Sequence, residues 1–295
     1  MARRSVLFSP GDRPEMMRKA PGIGADVVIF DLEDAVAPER KAEARDAVSA
    51  VLTDDEFDPD CEVCVRVNPI GTVTEDDLDG ILQGDSRLDA IMLPKATGAG
   101  DVDTLDELLQ DRGYDLPVFS LVESAAGVLN AADIAAASAT SALVFGAEDL
   151  AADLGATRTE EGTEVLYARE HAVLAASAAG VDAIDTVHTA IRDTEGLRAE
   201  TEFAIQLGYD GKMAIHPSQV TVINEAFTPE PERVEWAKTV LTARDEAAVE
   251  GRGVFRVNDE MIDAPLIAQA ERIVERARAA NLLWGGYCRQ ICRYA

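Results

Sequence analysis

The sequence predicts an α/β protein built on a (β/α)8 barrel, and three observations lead there. Eight short apolar runs occupy residues 5–9, 26–34, 62–68, 90–95, 117–124, 142–149, 183–188 and 212–218. Each is followed by a stretch that reads as a helix, and strand then helix, repeated eight times, is the sequence form of this barrel. The runs DVVIFDLED, AIMLPKA and ALVFGAED stay apolar up to their polar ends, as strands buried on both faces of a parallel sheet do.

The elements follow in order. The first run, VLFS, leads through Pro10 and Gly11 into a turn. Helices are expected over 38–52, 74–82, 101–110, 128–138, 163–179 and 195–207, in the gaps between runs. The stretch TEVLYAREHAVLAASAA (163–179) has helical spacing and ends at Gly180, a favoured residue just past a helix. After strand eight the repeat stops. FTPEPE is a Pro-punctuated turn whose acids open a helix over 233–250, VNDEMID reads as a small hairpin, and a last helix spans 265–281. The expected organisation is a catalytic barrel over 1–228 and a C-terminal extension over 229–281 that acts as a lid or as an arm onto a neighbouring subunit. An atypical tail over 282–295 is aromatic, basic and Cys-bearing in an otherwise acidic chain.

Composition narrows the function. The chain has 295 residues, 47% of them hydrophobic, enough for a large core. It has no run near the roughly 18 apolar residues a membrane span needs. The N-terminus has an Arg pair but no apolar core of a secretory signal, which predicts a cytoplasmic protein. Acidic residues number 55 against 27 basic, a net charge of −28 spread through helices and loops. Such a surface repels nucleic acid and anionic membranes. It predicts a halophilic protein working in molar salt, where self-repulsion is screened within about 3 Å. Cys61 and Cys64 form C-x-x-C inside the strand run CEVCVRVN and are expected to pack there rather than bind metal or cycle redox.

In this barrel the C-terminal strand ends form the active face. The runs place Asp31, Glu33, Asp34, Arg66, Lys95, Glu123, Asp149, Asp185 and His216 there. Glu123 and Asp149 end adjacent strands, about 4.8 Å apart. Two carboxylates at one height suit a hard divalent cation, Mg²⁺ above all, with water and substrate completing its shell. Asp31, Glu33 and Asp34 are placed to hold the cation's waters. The structural alternative is that these acids cap helices or pair with Arg and Lys. Arg66 offers a planar fork for a carboxylate or oxyanion, or else pairs with Glu33 or Asp34. His216 is expected to be structural.

The motifs RRSVLFSPGDRPEMMRKA, DVVIFDLEDAV, VRVNP, IMLPKA, LVESAAGVLNA, FGAEDLAADLGA, IDTVHT, GYDGKMAIHPSQV and INEAFTP occur in this order over residues 3–229, and the likeness they carry extends over roughly residues 3–280. In them the chain resembles the HpcH/HpaI aldolase and citrate lyase β-subunit family, specifically its CoA-thioester lyases. The resemblance implies a TIM barrel with Mg²⁺ (Mn²⁺ substituting) on Glu123 and Asp149, and substrate on Arg66. It implies a homotrimer or homohexamer in which the C-terminal segment reaches a neighbour's site and supplies a catalytic aspartate, here Asp263. Pro10, Gly11, Arg13 and Lys19 match the region that holds coenzyme A. The implied reaction is retro-Claisen cleavage of a β-hydroxyacyl-CoA (malyl-, methylmalyl- or citramalyl-CoA) to glyoxylate or pyruvate plus acyl-CoA. The alternatives are hydrolysis of malyl-CoA on the same site and a citrate lyase β subunit acting on citryl-acyl carrier protein.

Overall fold

The computed structural model describes residues 2–84, 86–249, 253–280 and 282. Eight parallel strands close into a barrel: β1 (Ser5–Pro10), β2 (Val27–Asp31), β3 (Glu62–Arg66), β4 (Ala90–Leu93), β5 (Val118–Val122), β6 (Thr140–Phe145), β7 (Asp182–Asp185) and β8 (Gly211–Ala214). Each pairs with the next, and β8 pairs with β1 through Ser5 and Lys212. The expected (β/α)8 barrel is therefore present. Its interior is filled by side chains such as Val6, Ile29, Cys64, Met92, Phe119, Leu121, Val144, Ile184 and Met213.

Side chains alternate in and out along a strand. Because Val27 and Ile29 point inward, Asp31 continues inward at the barrel's end, and Cys64 directs Arg66 in the same way. Phe119 and Leu121 lead to Glu123, Val144 to Gly146, and Ile184 to Thr186. Core packing thus aims the polar residues that follow it.

The helices differ from expectation in detail. The stretch expected as one helix over 128–138 is two, Ala125–Leu129 and Ala131–Ala136. Asn130 joins them at φ −102, ψ 11, and its side chain donates to Thr97 O at 2.8 Å. Ser124 starts the first by accepting Gly127 N–H. The helix expected from 163 begins with a 3-10 turn, then runs over Leu166–Ala179 and closes at Gly180, φ 73. Strand eight is shorter than its apolar run, and Pro217, which has no N–H to give a ladder, opens the helix Pro217–Phe227 instead.

Contacts divide the chain into two compact units, one over Arg3–Ile223 and one beginning at Asn224. The second contains the helix Pro231–Val249, an antiparallel hairpin of β9 (Phe255–Val257) and β10 (Glu260–Ile262), and the helix Ala264–Ala279. Val240, Phe255, Ile262 and Val274 share its own small core. Cys61 and Cys64 are unbridged. Burial pushes the Cys61 thiol up to about 11, so it is unreactive, in keeping with packing. Cys288, Cys292 and all of the atypical tail beyond residue 282 lie outside the described residues.

Candidate active site

A cavity of about 400 Å³ opens where the inward residues emerge, and Pro10, Asp31, Arg66, Glu123, Gly146 and Thr186 all line it. Asp34 and Asp149 join them. Apolar walls come from Phe8, Leu121, Val187 and Met213.

The acids near β2 are held tightly. Asp31 Oδ1 accepts the Glu33 N–H at 2.8 Å and Oδ2 accepts the Ala35 N–H at 3.1 Å, which folds the chain into a turn around the carboxylate. Lys41 fixes this turn from behind, donating to Leu32 O and Glu33 O at 2.6 Å each and to Asn68 Oδ1 at 2.9 Å. Gly11 closes the other side: its N–H donates to Asp31 O at 2.9 Å, and a Cβ there would stand 2.7 Å from that oxygen. Only glycine permits this approach.

Arg66 meets Asp31 in a two-pronged pair at 2.8 and 2.6 Å, and its Nη1 lies 2.9 Å from Glu33 Oε2. The expected alternative partner, Asp34, is farther, at 3.9 Å. Burial opposes the Arg66 charge, yet its acid neighbours outweigh burial and hold its pKa above the ordinary value. Of the three acids expected to hold waters, Asp31 is thus committed to the guanidinium. Glu33 Oε2 is buried without an aligned hydrogen bond despite that 2.9 Å approach.

Lys95 organises the opposite side. Its backbone is left-handed (φ 53), a conformation that costs a lysine about 1 kcal/mol or more. Its N–H donates to Glu123 Oε1 at 2.9 Å. Its ammonium lies 2.7 Å from Glu33 Oε1 and 3.6 Å from Asp149 Oδ2. Glu123 is approached on its far side by Gly146, where a Cβ would sit 2.8 Å from Oε2. Burial first, then the charges of Glu33 and Asp149, push the Glu123 carboxyl up to about 8. Asp149 is not at a strand end as expected: it lies in the first turn of the helix Ala147–Leu154, just after β6.

Among the described residues no group of three or more His, Cys, Asp or Glu gathers as a metal cluster. The mouth offers Glu123 and Asp149, hard oxygen donors whose negative charge is poorly balanced. That chemistry fits a hard cation that keeps several water or substrate ligands.

Two other residues at strand ends serve elsewhere. Asp185 has the opposite parity to Ile184 and faces outward, where Arg169 binds it at 2.8 and 2.7 Å and Lys212 at 2.8 Å. His216 is exposed and pairs with Ser218. Arg13 precedes and Lys19 ends the short helix Pro14–Lys19, and both are exposed, Arg13 being 3.8 Å from Asp12. In the second unit Asp263 is the N-cap of the helix Ala264–Ala279, accepting from Leu266 N at 3.4 Å. Sequence reasoning missed Lys41 and Thr186. Parity with Ile184 could have found Thr186; nothing local signals Lys41.

Fold and mouth together define a (β/α)8 barrel with carboxylates and one arginine converging at its C-terminal end. The chain belongs to the HpcH/HpaI aldolase/citrate lyase family, whose match covers residues 4–217. It is 36% identical to mitochondrial citramalyl-CoA lyase of Mus musculus, over 93% of this chain and 86% of that one. It is also 36% identical to (3S)-malyl-CoA thioesterase of Cereibacter sphaeroides, over 94% and 95%. Among solved structures it resembles protein CitE from Mycobacterium tuberculosis in complex with magnesium, acetoacetate and coenzyme A. That match has a TM-score of 0.77 and 39% identity, over 94% of this chain and 98% of that one.

Proposed function

We propose that this protein is a Mg²⁺-dependent carbon–carbon lyase that cleaves a β-hydroxyacyl-CoA of the malyl, methylmalyl or citramalyl type. The observation that carries the reading is the pair Glu123 and Asp149 in one cavity with Arg66, with Lys95 no nearer than 3.6 Å to Asp149 as their closest side-chain cation. Glu123 and Asp149 hold the cation. When bound, it polarises the substrate's hydroxyl and the carbonyl that hydroxyl becomes. The CitE structure with magnesium and coenzyme A supports this assignment.

The step conserves atoms simply. The β-hydroxyl loses its proton, the C–C bond breaks to leave glyoxylate or pyruvate, and the electron pair passes to the thioester as an enolate. A proton then returns to that carbon. Arg66, fixed by Asp31 and Glu33, stabilises the anion as an immobile charge that needs no reorganisation. Asp263 is the proton-transfer group, brought by the C-terminal unit of a neighbouring subunit in a homotrimer or homohexamer. Pro10, Gly11, Arg13 and Lys19 receive the coenzyme A moiety; the exposed cations Arg13 and Lys19 suit its phosphates. Asp34, exposed and 3.9 Å from Arg66, serves water around the cation, with Glu33 behind it tied to Lys95 and Arg66. The unbridged Cys61 and Cys64 suit the cytoplasm, and the −28 charge suits a halophilic one.

A second reading, thioester hydrolysis, is favoured by equal identity to the malyl-CoA thioesterase. Incubation in high KCl with Mg²⁺ and each thioester separates them. A lyase yields glyoxylate or pyruvate trapped as a hydrazone, whereas a thioesterase yields the intact hydroxy diacid (malate from malyl-CoA) and free thiol alone. Asp263 is tested by mixing. Asp263→Ala and Glu123→Ala are each expected to be inactive, and mixed oligomers to regain partial turnover by joining an intact barrel to an intact arm. Mixed oligomers that form and stay dead would remove the shared site. If Asp263 is only a helix cap, its loss costs about 1 kcal/mol and leaves turnover normal.

A further inference from the structure

Asp149 owes its place to a helix whose start lacks a cap of its own. The helix Ala147–Leu154 begins after Gly146, which has no side chain to accept the first orphan N–H groups. Nor can Gly146 be replaced by a capping residue, because any Cβ would collide with Glu123. The acceptor comes from just past the neighbouring strand β7: Thr186 Oγ1 takes the Ala147 N–H at 3.0 Å, and the bond is buried.

Thr186 is itself held from the opposite face of its strand. Asp185, the preceding residue, is fully buried and fixed by Arg169 and Lys212. That ion cluster fixes the end of β7, and so the height at which the Thr186 hydroxyl meets the helix start. At its far end the same helix is tied by Asp153, whose carboxylate accepts the Ala125 N–H at 2.7 Å.

We propose that Thr186 is a positioning residue: it supplies the missing cap of the Ala147–Leu154 helix across the strand boundary and thereby sets where Asp149 presents its carboxylate. The assignment rests on reading Glu123 and Asp149 as the ligands of a divalent cation. Thr186→Val keeps the branched shape and removes the acceptor, whereas Thr186→Ser keeps the acceptor.

Two measurements at one fixed KCl concentration and pH test this. In calorimetric titration with MgCl2, Thr186→Val should bind about tenfold more weakly than wild type and Thr186→Ser within about twofold, the scale of losses seen when a ligand's support is removed. Equal affinity in wild type and Thr186→Val would overturn the proposal. Amide hydrogen exchange at Ala147 in metal-free protein should be about tenfold faster in Thr186→Val, since the buried N–H loses its acceptor. Unchanged exchange there would also overturn it. If wild type itself binds no Mg²⁺, the cation assignment fails, and the exchange result alone decides the role of Thr186.

Discussion

Two clusters of charge stand on neighbouring parts of this barrel, one buried and one open at the mouth, and they differ in balance. Outside β7 and β8, Asp185 and Glu200 face Arg169 and Lys212, with Lys212 at 2.8 and 3.4 Å from the two acids. The two acids meet two cations and the His188 ring, which lies 3.1 Å from Glu200, and both Asp185 and Lys212 are fully buried. Burial would raise the Asp185 carboxyl, but Lys212 and Arg169 outweigh it and hold the group below the usual range. At the mouth, Asp31, Glu33, Asp34, Glu123 and Asp149 face Arg66, Lys95 and the backing Lys41, five acids against three cations, while Glu148 on the same wall pairs with Arg158. There burial and like charge push Glu123 up to about 8. A complete cluster fixes backbone; an incomplete one is held ready for a charge from outside.

The comparison breaks most sharply by removing acids. Glu123→Ala or Asp149→Ala should drop turnover to background, because one remaining carboxylate cannot retain a weakly held Mg²⁺ against water. Thermal stability of Asp149→Ala in metal-free protein should change little, since that carboxylate is half-exposed and its ion pair with Lys95 is loose at 3.6 Å. EDTA should silence wild type, and Mg²⁺ or Mn²⁺ should restore it. Activity that survives EDTA in metal-free protein would mean that the mouth needs no cation.

Asp185→Ala reverses the pattern. It leaves Arg169 and Lys212 buried without their shared partner, a loss of about 3–5 kcal/mol by precedent for one-sided removal of buried pairs. Denaturant unfolding at fixed KCl measures this. A loss under about 1 kcal/mol would mean that water or Glu200 compensates and that the cluster does not hold β7.

How these two clusters read in the sequence explains what was legible. The eight apolar runs specify the barrel because each is too short for a helix and each alternates with a helical stretch. Glu123, Arg66 and Asp31 were visible as polar ends of such runs. Asp185 looked identical to them in sequence and belongs to the other cluster; only its parity with Ala183, opposite to Ile184, separates it. Asp149 was found with the wrong address, because the motif FGAED runs unbroken from β6 into a helix after Gly146. Lys41 was illegible: it opens a helix, and its partners Leu32 O and Asn68 Oδ1 come from two other loops that only the closed barrel brings together.

pH should separate the clusters with the smallest effect and opposite signs. Glu123 binds its proton more tightly when folded than when unfolded, so the folded metal-free protein carries more protons between about pH 5 and 8. Stability therefore falls as pH rises through that window, and the stabilisation is complete only below it. Glu33 is shifted upward as well, by burial first, and adds in the same direction. The slope per proton cannot exceed about 1.4 kcal/mol per pH unit, and solvent reaching the cavity makes it less. Asp185 is shifted downward, so its contribution is present above the ordinary carboxylate range and is lost as pH falls below about 4. Melting curves in EDTA and fixed KCl should thus decline at both ends for different reasons. Glu123→Gln should flatten the decline between pH 5 and 8 and leave the acid limb alone. Saturating Mg²⁺ should flatten it too, because a bound cation supplies the balance that protonation otherwise provides. An alkaline limb unchanged by Glu123→Gln would show that the mouth's acids are balanced without help, and the contrast between the two clusters would fail.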